Sequence, residues 1–398
     1  MTWILLMKAK LLGLGLTSLL LLTSLAGCVF EDDGSSGTIL EAVFSFSPSD
    51  NIQEGTVVSF DASASLPNDG TLTFRWDFDA DDSTDETGKR VEWRFDNAGE
   101  FVVKLSISDG TRTSTQERTV TVYGAEVQPP SADITSFSSD EDCTGEDPDT
   151  GNYILIWLCP EDKENNDRRI DETATIPLDA SESEAGSNQD YISEWRWDLD
   201  LNYDSDNDGD MENDADLSGE EVDWADVAPG EYEVSLTIVN GGGMTDSTKM
   251  KVYVNYAAFW KDFEIGGNTS NSAVDIDFDM PVVYDKDSGN TIRKAIGKLV
   301  YPQQDDDWVV GGGNNNNNVL DLYAFNEDDD EVANTTATTD DQRDEDDCDG
   351  DSYCVNLLLS SYMMTDTTNG DGDWTMTLRN ERFNDVQVTS LGIFLEYR

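Results

Sequence analysis

The chain has 398 residues, 84 of them acidic and 24 basic, for a formal net charge of −60 without a single histidine. This balance argues against nucleic acid as a partner, because holding phosphates needs clustered Lys and Arg. The missing histidine removes Ser-His-Asp and Cys-His nucleophiles and histidine-bound zinc. Charge this large opposes compaction by self-repulsion, so the fold is expected to depend on cations, from high salt, sea water or bound calcium.

Residues 1–27 contain no Asp or Glu, carry Lys8 and Lys10, and run apolar from Leu11 to Leu22. They read as a secretory signal peptide. The segment ends Leu25-Ala26-Gly27-Cys28 and resembles a lipobox, which implies lipidation of Cys28 as the mature N-terminus. A membrane-spanning N-terminal helix is the alternative, since the apolar run nearly matches a bilayer. Residues 28–39, with Glu31-Asp32-Asp33-Gly34-Ser35-Ser36-Gly37, read as a lipidated cysteine and flexible tether. The expected location is the cell surface, outside the cytoplasm, with the membrane as a partner through the lipid.

A pattern is then written twice, the sign of a modular protein. Phe60-Asp61-Ala62-Ser63-Ala64-Ser65, Phe74-Arg75-Trp76-Asp77-Phe78-Asp79 and Gly99-Glu100-Phe101-Val102-Val103 make one copy. Leu178-Asp179-Ala180-Ser181-Glu182-Ser183, Trp195-Arg196-Trp197-Asp198-Leu199-Asp200 and Gly230-Glu231-Tyr232-Glu233-Val234 make the other. Within each copy apolar residues alternate with polar ones, Phe74, Trp76 and Phe78 on one face and Arg75, Asp77 and Asp79 on the other. A period of two with aromatic and β-branched residues predicts half-buried strands, and short strands between turn signals predict a β-sandwich.

These blocks resemble the PKD module, an immunoglobulin-like β-sandwich of secreted and cell-surface proteins. The resemblance covers 40–124 and, with insertions, 132–255. It departs at the turn after the Trp-Asp pair, where Asp79-Ala80-Asp81 and Asp200-Leu201-Asn202 replace the family's Gly-Asp-Gly, so that loop is expected to be longer or differently closed.

Two insertions distinguish the second copy. Cys143 and Cys159 precede its Asp-Ala-Ser block and, in an oxidising compartment, predict a disulfide, as do Cys348 and Cys354 further on. Metal ligation by these cysteines is the weaker alternative, as there is no Cys-x-x-Cys. After the second Trp-Asp pair come Asp204, Asp206, Asp208, Gly209, Asp210, Glu212, Asp214 and Asp216. An Asp-x-Asp-x-Asp-Gly core offers short oxygen ligands around a tight turn, which suits a hard cation, and structural calcium is expected there. It resembles EF-hand and dockerin loops, although Ala215 stands where an EF-hand has its bidentate Glu. Solvated acidic sequence is the competing reading. Asp79, Asp81, Asp82 and Asp85 in the first copy, and Asp346, Asp347, Asp349 and Asp351, are weaker echoes.

Residues 256–398 do not repeat the pattern and predict a further β-sandwich or jelly roll. Strand-like runs are Ala273 to Met280, Leu320 to Phe325, Val355 to Leu359, Trp374 to Leu378 and Leu391 to Tyr397. The Gly/Asn run 311–318 and the acidic Thr-rich run 327–347 read as mobile loops. Gly372-Asp373-Trp374-Thr375-Met376-Thr377-Leu378-Arg379 with Leu391-Gly392-Ile393-Phe394-Leu395 resembles the closing strands of the proprotein convertase P-domain, which implies an accessory module without a catalytic centre. No enzyme is expected, although acidic residues are too abundant for paired carboxylates to be read as a glycosidase signal or its absence. The expected role is a lipid-anchored, calcium-stabilised surface protein for adhesion, cell-envelope contact or glycan and polymer binding. An accessory or substrate-binding lipoprotein of a secreted hydrolase or transport system is the alternative. The ligand is unspecified.

Overall fold

The computed structural model describes residues 39–139, 143, 150–160, 162–204, 211, 214–268, 272–303, 317–343, 351–365 and 367–398. The expected leader, Cys28 and the expected tether up to residue 38 lie outside them. Two compact units are formed. One holds the described part of Met1–Phe46 with Ser59–Val91 and Val102–Thr119, the other Ser47–Val58, Glu92–Phe101 and Val120–Arg398.

The first repeat contributes β1 (Ser45–Ser47), β2 (Val57–Asp61), β3 (Thr73–Asp77), β4 (Glu86–Thr87), β5 (Arg90–Arg94), β6 (Gly99–Ser108) and β7 (Thr113–Val122). They form two sheets, ordered β1-β2-β5 and β4-β3-β6-β7. Strand alternation aims Phe60 from one sheet and Trp76 and Phe78 from the other at a common core. Phe44 meets Trp76 edge-on at 5.1 Å and Phe60 meets Phe78 at 4.9 Å. Such aromatic pairs contribute about 0.5–1.5 kcal/mol each beyond the area they bury. The repeated aromatics are therefore the interior of a β-sandwich.

The second repeat contains β8 (Phe137–Ser139), β9 (Ile154–Leu158), β10 (Ala174–Asp179), β11 (Ile192–Asp198), β12 (Leu217–Ser218), β13 (Glu221–Val227), β14 (Gly230–Asn240) and β15 (Thr245–Ile265). β10 pairs β13, and the sheet carrying β11, β14 and β15 supplies Trp197, Val234, Leu236, Val252 and Val254 to the same core. β15 is 21 residues long and crosses the expected boundary at 255/256 without a break. Its first half pairs β14.

The remaining strands are β16 (Val274–Val282), β17 (Lys294–Pro302), β18 (Leu320–Phe325), β19 (Glu331–Asn334), β20 (Ser352–Ser360), β21 (Gly372–Asn380) and β22 (Val386–Glu396). The second half of β15 pairs β22, so among the described residues one sheet runs β12-β11-β14-β15-β22-β17-β20. The sheet β16-β21-β18-β19 packs over its far end around Trp260, Phe278, Tyr301, Trp374 and Leu378. The apolar residues between Met250 and Ile265 serve two cores in succession, which is why the strand continues.

The acidic run 327–347, expected as a mobile loop, is instead partly ordered. Residues 331–334 are β19, Asp340–Arg343 form a helical turn, and Arg343 is buried. Its guanidinium donates to Asp321 Oδ1 at 2.6 Å, Tyr301 OH at 2.8 Å and the Leu320 carbonyl at 2.6 Å. One cation paired in the core outweighs the flexible composition around it.

The disulfide Cys143–Cys159 is formed. Between its two cysteines β9 runs parallel to Val252–Tyr256 of β15. Cys143, Trp157 and Cys159 cover Ala257, Phe259 and Phe394. This insertion is a clamp on the strand shared by two sandwiches. Cys354 is also disulfide-bonded; Cys348 lies outside the described residues.

Candidate functional site

The two Trp-Asp strands end in the same local structure. Each tryptophan is fully buried and donates Nε1–H to a glycine carbonyl, Trp76 to Gly88 and Trp197 to Gly219, both at 2.9 Å. The Asp85 N–H donates to the Trp76 carbonyl, and the Asp216 N–H to that of Trp197, again both at 2.9 Å. The returning carboxylate then accepts a backbone N–H after the Trp-Asp pair: Asp85 Oδ2 from Phe78 at 2.7 Å, Asp216 Oδ2 from Leu199 at 2.8 Å. Asp77, Asp79 and Asp85 thus correspond to Asp198, Asp200 and Asp216.

In the first copy carboxylate oxygens of Asp77, Asp79 and Asp85 lie within 4.8 Å of one another, with Asp77 buried, Asp85 half-buried and Asp79 exposed. Asp77 Oδ1 accepts the Asp79 N–H at 3.3 Å and Oδ2 the Asp82 N–H at 2.9 Å. The turn closes without the family's glycines because Ala80 and Asp82 take the left-handed region themselves, with φ of 58° and 63°. Partial loss of hydration in the turn, and then the negative charges of Asp81, Asp85 and Asp77, push the Asp79 carboxyl upward. Three hard oxygen donors from one turn can hold a divalent cation of the calcium kind. Asp81 and Asp82 stand outside the triad: Asp81 caps the Ser83 N–H, and Asp82 pairs with Lys104 at 2.9 Å.

In the second copy Asp198 is only 2% exposed, and burial pushes its carboxyl up to about 6, aided by the carboxylates of Asp216, Asp214 and Asp200. Strand periodicity places both Asp77 and Asp198 on the outer face, yet both are buried, because the following turn folds back over them. The readable signal was the adjacency itself, an Asp beside a core Trp in both copies. Of the acidic loop, Asp204 is half-buried and Asp214 buried. Asp206, Asp208, Asp210 and Glu212 lie outside the described residues.

A second feature adjoins the first triad. A groove of about 630 Å³ is lined by Asn68, Leu72, Phe74, Arg75 and Lys89 among others, and none of its lining residues is acidic. Lys89 donates to Asn68 Oδ1 at 2.8 Å, which fixes its ammonium at the rim. Arg75 also lines the neighbouring cleft that holds Asp77 and Asp82. Neither Arg75 nor Lys89 stood out in the sequence, since the groove unites residues from separate strands and turns. Trp224, Trp260 and Trp374 are taken up by cores, and Trp308 lies outside the described residues.

Residues 42–123 match the PKD domain. No curated protein sequence matches the chain. Among solved structures it is similar to a carbohydrate-binding module of the β-sandwich superfamily, at 14% identity and TM-score 0.20 over 90% of this chain and 96% of that one. It is also similar to fibronectin(III)-like modules of Clostridium thermocellum CbhA, at 12% identity and TM-score 0.23 over 54% and 95%. A third is Bacteroides ovatus SGBP-B in complex with a mixed-linkage heptasaccharide, at 12% identity and TM-score 0.16 over 93% and 98%. Among the described residues no helix is long and apolar enough to cross a membrane.

Proposed function

We propose that the chain is a lipid-anchored surface protein that contacts an extracellular polymer, a glycan or cell-envelope component, through its first sandwich, with calcium setting the adjoining turn. The observation that carries this reading is the groove at Arg75 and Lys89. In a chain with 84 acidic residues, a lining without one marks a place where an anionic or hydroxyl-rich chain is not repelled. Leu72 and Phe74 add apolar surface, and Asn68 and Thr73 add hydrogen-bonding groups. A calcium ion on Asp77, Asp79 and Asp85 would fix the turn beside Arg75 and offset local charge. The Cys143–Cys159 disulfide agrees with an oxidising location, and Cys28 is the proposed attachment point.

The test is retention of the full chain on anionic and neutral polysaccharides, with and without calcium. Arg75→Ala with Lys89→Ala is expected to weaken retention at least tenfold while leaving the melting temperature nearly unchanged, as Arg75 is exposed and Lys89 half-buried on the surface. Unchanged retention by that double variant would remove the groove as the contact surface. Cys28→Ser should move the protein from the membrane to the soluble fraction.

A further inference from the structure

The two repeats differ at one oxygen. In the first, both oxygens of the buried Asp77 are used, Oδ1 by the Asp79 N–H and Oδ2 by the Asp82 N–H. In the second, Asp198 Oδ1 accepts the Asp200 N–H at 3.0 Å, but Oδ2 is fully buried and has no hydrogen-bond partner. The reason lies in the connection. Seven residues separate Asp77 from Asp85, and one of them, Asp82, donates its N–H to Oδ2; seventeen separate Asp198 from Asp216, and none of the described ones donates to Asp198 Oδ2. What returns is Asp214, buried to 3% exposure, and then Asp216. A buried carboxylate oxygen with no donor, near enough to Asp216, Asp214 and Asp200 to feel their charge, is an arrangement that a folded chain keeps when a cation completes it.

We infer that Asp198, with Asp200, Asp214 and Asp216, forms a divalent-cation centre of the calcium type inside the second sandwich, at the root of the acidic insertion. Its donors are all carboxylate oxygens, and they come from a strand end and a long connection. Such an irregular oxygen set suits calcium, whereas magnesium demands near-ideal octahedral geometry. The centre stands on its own observation and holds whether or not the first repeat binds metal or polymer. It also differs from a loop site built on Asp206 and Asp208, because its anchor is a β11 residue beside the core Trp197.

The full chain is stripped with chelator and titrated with calcium at neutral pH and fixed ionic strength, in an Asp77→Asn/Asp79→Asn background that silences the first repeat. Terbium luminescence sensitised by nearby tryptophan gives a second readout. One saturable binding event is expected to remain. Asp198→Asn should weaken it at least tenfold and abolish the calcium-dependent rise in melting temperature, yet the metal-free variant should melt no lower than its metal-free parent. Asp216→Asn, at an exposed position, should weaken binding in the same direction and serves if Asp198→Asn does not fold. The inference is overturned if no event remains in the silenced background. It is equally overturned if Asp198→Asn binds as its parent does, or if Asp206→Asn/Asp208→Asn abolishes binding that Asp198→Asn retains. A metal-free Asp198→Asn that melts well below its parent would mark Asp198 as a neutral hydrogen-bonding acid and also sink the idea.

Discussion

At the scale of single residues, the tryptophans and the aspartates beside them do different work. Trp76 and Trp197 fill the sandwich interiors, and their indole N–H groups satisfy Gly88 and Gly219 carbonyls at the base of the acidic turns. Replacing Trp197 by Phe keeps an aromatic ring but leaves that carbonyl without its donor. The lost hydrogen bond alone is expected to cost about 1–3 kcal/mol, readable as a lower denaturant midpoint at unchanged slope. An unchanged midpoint would mean that the carbonyl finds another donor. The aspartates that follow were misplaced by strand periodicity, which assigns faces from alternation. Alternation ends where a strand becomes a turn, and at Asp77 and Asp198 the turn itself supplies the cover.

At the scale of elements, the insertion before the second repeat shows how a loop is held to a sheet. Lys163, nearly buried, pairs with Glu172 at 2.5 Å, and Glu172 also accepts the Tyr256 hydroxyl at 2.6 Å. Lys163 further donates to the Arg169 carbonyl, and Trp260 donates its Nε1–H to Asp167. Burial pushes the Glu172 carboxyl up, but the Lys163 ammonium and the Tyr256 hydroxyl outweigh it and hold the carboxyl below the ordinary glutamate range. An acid with a lowered folded value stabilises the fold above its unfolded pKa of about 4.3, and loses that contribution as pH falls through the folded value. Glu172→Gln should therefore melt below the parent at pH 7, with the gap closing as the pH is taken below about 4. A gap that persists at pH 3 would assign the effect to packing instead. The cysteine pair was legible from spacing and compartment. The clamp was not, because parallel pairing of β9 with β15 joins residues about a hundred positions apart.

At the scale of the molecule, the sandwich class was legible throughout, but its last division was not. β15 gives its first half to the core around Trp197 and its second half to the core around Trp260. The second and third sandwiches should consequently unfold as one calorimetric transition, and truncation after residue 255 should destabilise the second sandwich as well. Two separable transitions, or a truncated chain that keeps the parent's stability, would contradict a shared strand.

Sequence alone determined the β-sandwich class, the doubled module, the Cys143–Cys159 pair and an acidic surface, because strand period, block order and cysteine spacing are local and one-dimensional. Tertiary structure decided which carboxylates are buried, that Arg343 is a core cation, and that Arg75 and Lys89 share a groove without acids. It also decided that one strand belongs to two sandwiches. Each of these depends on what a returning chain places over a residue, and that partner lies too far along the sequence for any local pattern to announce.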